Sequence, residues 1–277
     1  MTAKTLITVA PTGAESAKVD VPALPVSLAE LVATAKECEA AGAAVVHVHI
    51  RDDDARPTLD LGRLRDTVDA LRAETSLIVQ LSTGGAVTDP EPDRLRVLAA
   101  APDMASCTMG TVNFGTDVFV NRWEFIVTLH ETMRDRGIVP EYEIFDLGQL
   151  TSLRRLLDRH GLPAGDHVQV DFVLGVPGGA PATAEAVIAF THALRDLPAG
   201  TTFAATGIGR GTIPVLLAAL AAGGHLRVGM EDTVTFAAGQ PVTGNAQLVI
   251  RAAEFARLAQ RPPMMPDDAR AMLGIHA

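Results

Sequence analysis

A chain of 277 residues, of which 48% are apolar, can bury one large core, yet no run approaches the roughly 18 to 20 apolar residues of a membrane span. A net charge of −10, with 4% aromatic residues and no Lys/Arg-rich run, argues against a nucleic-acid partner. The N-terminus enters a strand pattern without a signal-peptide signature, and the two cysteines, Cys38 and Cys107, form no CxxC or disulfide framework, so a cytoplasmic protein in a reducing compartment is expected.

Short apolar, β-branched runs occur at 5–10, 44–50, 77–82, 103–108, 141–146, 167–173, 201–206 and 226–230, each bounded by Gly, Pro or polar residues. Helical periodicity lies between them, most clearly at 28–41, 61–73, 121–136, 149–160, 184–194 and 213–222, with 246–259 closing the series. Ser27 and Thr183 stand where N-caps belong, and Gly42, Gly137, Gly161 and Gly223 where helices should stop. Eight β-to-α alternations predict an α/β fold, a (β/α)8 TIM barrel. A doubly wound open sheet is the runner-up, because patterning alone does not distinguish a closed sheet from an open one. No linker or composition shift divides the chain, so residues 1–277 read as a single domain with a Pro-rich tail from about 261 to 277.

Barrel chemistry belongs at the C-terminal ends of the strands, and side-chain parity selects the inward face. His47 and His49, at i and i+2 of one strand, point the same way. A lone buried His is more often a satisfied core residue, but two on one face followed by charged residues suggest a site. In a closed barrel the last strand lies next to the first, so Glu231 can approach both histidines. Two His and one carboxylate suit Zn²⁺ acting as a Lewis acid, and another divalent metal such as Fe²⁺ or Mn²⁺ would fit. Glu231 and Asp232 alone would read as a solvated loop pair; the inward Arg227 alters that, because its guanidinium needs a carboxylate and Asp232 is a natural one. Gln80, Ser82, Ser106, Thr108, Glu141 and Glu143 also fall on inward faces, where unpaired polar groups are costly. The loop holding Gly207, Gly209, Arg210 and Gly211 precedes a helix, so Gly209 and Arg210 are candidate contacts for a phosphorylated or carboxylated ligand; a tight turn explains the glycines equally well.

Segments 7–15 (ITVAPTGAE), 46–52 (VHVHIRD), 80–85 (QLSTGG), 110–115 (GTVNFG), 143–148 (EIFDLG), 175–179 (GVPGG), 207–210 (GIGR) and 227–232 (RVGMED), taken in this order, resemble the β-keto acid cleavage enzymes. The founding activity of that family is 3-keto-5-aminohexanoate cleavage in lysine fermentation. The resemblance spans nearly the whole chain and implies a (β/α)8 barrel with one divalent metal, usually Zn²⁺, on His47, His49 and Glu231. It implies a reaction of a β-keto acid with acetyl-CoA that gives acetoacetate and a new acyl-CoA, with acid-base chemistry at Asp232 assisted by Arg227. It also implies that Glu15, Ser82, Gly85, Thr108 and Glu143 hold the substrate, the two glutamates suiting a cationic amino end, and that the protein is a homotetramer. Cys107 departs from the bulkier apolar residue or Thr common in the family, and parity turns it away from Ser106 and Thr108. The loop at Arg210, Gly211 and Thr212 departs too. Two other readings stay open: a metal-dependent aldolase or hydrolase on the same barrel without CoA, and a non-enzymatic small-molecule-binding barrel.

Overall fold

In the computed structural model, which describes residues 3–275, eight parallel strands close into a barrel. They are β1 (Ile7–Val9), β2 (Val45–Val48), β3 (Ile78–Leu81), β4 (Met104–Thr108), β5 (Val139–Ile144), β6 (Gln169–Leu174), β7 (Thr202–Gly207) and β8 (His225–Val228). Closure is direct, since β1 pairs with β2 on one side and with β8 on the other, and the open sheet is thereby excluded. The outward faces of the strands pack under helices α1 (Leu28–Ala41), α2 (Leu61–Glu74), α3 (Glu91–Arg96), α4 (Trp123–Asp135), α5 (Leu147–His160), α6 (Ala184–Ala193), α7 (Thr212–Ala221) and α8 (Asn245–Leu258). Among the described residues no helix is long and apolar enough to cross a membrane.

Local chemistry sets the helix ends. Ser27 and Glu30 form a reciprocal capping box at α1, Thr183 accepts from the Ala186 amide at α6, and Gly42 ends α1 in the left-handed region. β5 begins two residues earlier than the pattern at 141–146 indicates. Pro140 reads as a strand breaker, but it lies opposite Ala105 of β4 and ahead of the pairing with β6, which begins at Glu141, so its missing N–H is tolerated. Asp146 then leaves the strand to cap α5 through the Gly148 amide. α3 is hidden in the sequence by Pro90 and Pro92, which suit a first helical turn.

The Pro-rich segment after α8 carries a further helix, α9 (Pro266–Leu273), with Pro266 in its first turn. It closes the N-terminal end of the barrel: Met264, Ala269 and Leu273 pack in one cluster with Leu6, Val45, Ile78, Met104 and Val139. The Met264 amide donates to the Thr5 carbonyl at 2.8 Å beside this plug. Leu273→Ala is therefore expected to destabilise the fold by roughly 2 to 5 kcal/mol, the usual range for emptying a buried leucine site. Chemical denaturation checks this, and an unchanged midpoint would make the segment a surface appendage.

Candidate active site and metal centre

At the opposite end of the barrel, three side chains from β2 and the end of β8 converge. His47 Nε2 and His49 Nε2 lie 3.8 and 3.7 Å from Glu231 Oε1, and the three residues present ligand atoms within 4.8 Å of one another. Glu231 reaches this position because Gly13, with φ +63°, packs against its side chain; a Cβ at Gly13 would lie 2.6 Å from Glu231 Cγ. Asn245, at the start of α8, accepts from the Met230 amide at 2.9 Å and donates to the Pro11 carbonyl at 3.1 Å, which ties the end of β8 to the end of β1.

The protonation states suit a metal. Burial, aided by the charge of Arg227, holds His47 down at about 3, and burial likewise lowers His49. Burial alone would raise Glu231, but Arg227 and the two histidines hold it down at about 2. Neutral imidazoles and an ionised carboxylate are what a divalent cation requires. His47 Nδ1 lies 2.5 Å from Gln80 Oε1, and Gln80 turns its amide NH₂ to Glu141 at 3.1 Å. Nδ1 therefore carries the proton and Nε2 keeps its lone pair toward Glu231. Glu231 Oε2 is buried without a hydrogen-bond partner. An orphaned carboxylate oxygen beside two imidazole lone pairs is a donor set that fits a divalent cation.

Arg227 is 3% exposed and meets four carboxylates. Its Nη2 donates to Glu231 Oε1 at 2.5 Å and to Asp232 Oδ1 at 3.1 Å, and its Nε to Asp232 Oδ2 at 3.4 Å. Its Nη1 lies 3.4 Å from Glu143 Oε1 and 3.8 Å from Asp171 Oδ2. One guanidinium does not balance four neighbouring acids, and two of them hold their protons more tightly. Burial, only partly offset by Arg227, pushes Asp232 up to about 7, and burial with the charge of Glu141 raises Asp171 well above the carboxylate range.

The remaining candidates divide between the cavity and its supports. A cavity of ≈ 100 Å³ above the triad is lined by Glu15, Ser82, Gly85, Glu143, Arg227 and Asp232, among others. Thr108 does not reach it; its hydroxyl donates to Glu143 Oε2 at 2.7 Å from below. Gly85 has φ +61°, and a Cβ there would lie 2.3 Å from Asp89 Oδ2. Glu15 is exposed on the β1–α1 loop, which Arg51 fastens through the carbonyls of Gly13 at 2.6 Å and Ser16 at 2.9 Å. The loop after β7 differs from a phosphate cradle: the Gly209 amide donates to the Asp232 carbonyl at 2.8 Å and the Ile208 amide to Leu174, so Gly209 holds the Asp232 backbone, while Arg210 is exposed. A wider cleft of ≈ 480 Å³ opens on the other side of His49, between the start of α1 and α2.

Asp171 escapes the sequence reading, although Gln169 and Asp171 stand at i and i+2 on an otherwise apolar strand, the same signal that singles out the histidines. Asp171 is fully buried, accepts from Thr206 Oγ1 at 2.7 Å and faces Arg227.

A family profile described as beta-keto acid cleavage enzyme matches residues 4–275. The chain belongs to the β-keto acid cleavage enzyme family. It is 37% identical over 274 residues to a 3-keto-5-aminohexanoate cleavage enzyme of Acetoanaerobium sticklandii, covering 98% of each chain. It is 33% identical over 276 residues to a 3-oxoadipate:acetyl-CoA acetyltransferase of Cupriavidus necator, covering 99% of this chain and 96% of that one. Among solved structures, apo ObcA superposes with a TM-score of 0.79 at 19% identity, over 92% of this chain and 66% of that one, a likeness that bears on the fold alone. The barrel expected from the strand pattern is therefore present, and it brings His47, His49, Glu231, Arg227 and Asp232 together at one end.

Proposed function

We propose that the protein is a metal-dependent β-keto acid cleavage enzyme that reacts a β-keto acid with acetyl-CoA to give acetoacetate and a new acyl-CoA. The observation that carries this reading is the convergence of His47, His49 and the orphaned Glu231 oxygen beside an Arg227–Asp232 pair, at the mouth of a barrel of this family. A divalent metal, with Zn²⁺ the expected one, would be held by these three residues and would polarise the keto and carboxylate oxygens of the substrate.

Asp232 takes the C2 proton, and its pKa of about 7 places it where a base both ionises and accepts protons near neutrality. Arg227 orients Asp232 through two bonds and spreads its charge over the site. The C2 carbanion attacks the acetyl thioester, the released CoA thiolate adds to the C3 carbonyl, and the C2–C3 bond breaks to leave acyl-CoA and the C2 carbanion of acetoacetate, to which the protonated Asp232 returns the proton. No nucleophilic side chain is needed, in keeping with Cys107, which is buried and whose thiol burial pushes up to about 12. Ser82, Gly85 and Glu15 line the substrate side, and Glu143, held by Thr108, completes it. His49 borders both the small cavity and the wider cleft, so a keto acid and a thioester have separate approaches. Arg210 is the expected cationic contact for CoA phosphates, and a cytoplasmic homotetramer is the expected form. The test is incubation with acetyl-CoA and a panel of β-keto acids while free acetoacetate is followed. Acetoacetate that forms only when both are present supports the reading; bond cleavage without CoA points to an aldolase or hydrolase, and binding without turnover to a non-enzymatic barrel.

A further inference from the structure

The cavity above the triad has two halves of opposite character. One is the polar floor described above. The other is an apolar wall built from the ends of four strands and the loops that follow them: Val87 after β3, Phe114 and Phe119 on a hairpin after β4, Phe145 after β5, and Val173 in β6 with Val176 just after it. Phe119, Phe145, Val173 and Val176 are each 5% exposed and belong to one cluster, separate from the barrel core. Phe114 is half-buried and sets its ring edge-on to Phe119 and Phe145, with centroids 6.3 and 6.4 Å apart. The wall is braced from behind. Arg94, fully buried, places its guanidinium 4.5 Å from the Phe119 ring and donates to the carbonyls of Thr83 at 2.7 Å and Val120 at 2.8 Å.

A charged substrate tail meets little on this side to replace its hydration. The carboxylate of Glu143 faces the cavity, but Thr108 takes one oxygen and Arg227 the other, so a cationic tail would compete with both. Glu15 also lines the cavity, but it is exposed at the rim, where solvent screens its attraction for a cation. An anionic tail fares no better: Arg227 is surrounded by its own carboxylates, Arg51 is turned to loop carbonyls, and Arg94 is behind the wall.

We propose that this enzyme selects β-keto acids whose C3 substituent is a neutral aliphatic chain seated against the Val87, Phe114, Phe119, Phe145, Val173 and Val176 wall. The assignment rests on the β-keto acid reading of the site. The triad and Asp232 work on the keto acid end, common to all such substrates, and the wall reads the tail. Desolvating each further methylene against it stabilises the bound state by about 0.8 kcal/mol, equivalent to roughly fourfold in kcat/KM.

The experiment uses the whole purified protein with acetyl-CoA and compares 3-oxopentanoate, 3-oxohexanoate and 3-oxoheptanoate with tails of similar length ending in a primary ammonium, a trimethylammonium or a carboxylate. The expected result is a rise of roughly fourfold in kcat/KM per methylene, and at least about a tenfold deficit for each charged tail, which gives up hydration against an apolar wall. In Phe114→Ser the dependence on chain length should flatten, a ratio taken within one preparation and so independent of how much of the variant is folded. A charged tail that equals or exceeds the aliphatic one, trimethylammonium included, overturns the proposal, as does a flat chain-length profile in the parent or an undiminished one in Phe114→Ser. Turnover of none of the panel overturns the β-keto acid reading itself, and this proposal with it.

Discussion

His47→Ala and Glu231→Ala are each expected to lose the bound divalent metal, about one equivalent per chain in the parent, and turnover with it. The expectation follows from the donor set, because three protein ligands with positions left for substrate is the composition of a catalytic metal site. Removal of one of three leaves two donors, and in Glu231→Ala it also leaves Arg227 without its shortest partner. Gln80→Leu should act more mildly. It removes the acceptor that fixes the proton of His47 on Nδ1, and loss of such a supporting bond weakens metal affinity by roughly 10- to 100-fold. Metal analysis after dialysis, read beside circular dichroism of the same samples, checks all three. Full metal content in folded His47→Ala and Glu231→Ala proteins would remove the assignment, and unchanged affinity in Gln80→Leu would confine Gln80 to packing.

The parts of the site legible in the sequence are those fixed by local parity. His47 and His49 are readable because strand side chains alternate, and Arg227 with Glu231 because a cation on an inward face calls for acids nearby. Glu231 required one further step, barrel closure, which places β8 against β1; the pairing of Thr8 with Arg227 is the register that results. Asp171 shows the same i, i+2 parity with Gln169, but its pairing with Arg227 on β8, two strands away across β7, is a contact that parity does not encode. The apolar wall is missed for a related reason. Most of its residues lie on loops after four strands, where there is no period to read, and each alone looks like an ordinary hydrophobe. Gly209 shows the opposite error. Its spacing suggests a free phosphate-binding amide, but the loop after β8 folds back so that the Asp232 carbonyl takes that amide. α9 was obscured by prolines that read as a tail, although Pro266 occupies the one helical turn in which proline is favoured.

Asp232→Asn is expected to keep its metal and its substrate affinity while kcat falls by roughly 10² to 10⁴, the scale for losing one positioned acid-base group. The substitution preserves shape and burial, and the amide oxygen can still accept from Arg227, so the site should stay assembled; what is lost is the lone pair that accepts the C2 proton. The neighbouring acids are poorly placed to replace it. Glu231 is held ionised at about 2 beside the histidines, and a carboxylate of such low basicity is a weak base near neutrality. Asp171 is fully buried beneath Arg227 and does not line the cavity. Glu143 faces the cavity but is bonded to Thr108 and Arg227, which makes it the alternative to test through Glu143→Gln. Metal content, substrate KM and kcat measured on one preparation separate the possibilities. Parallel loss of metal and activity would make Asp232 a ligand or a structural support, and near-normal turnover, with a large fall in Glu143→Gln instead, would assign the proton transfer to Glu143.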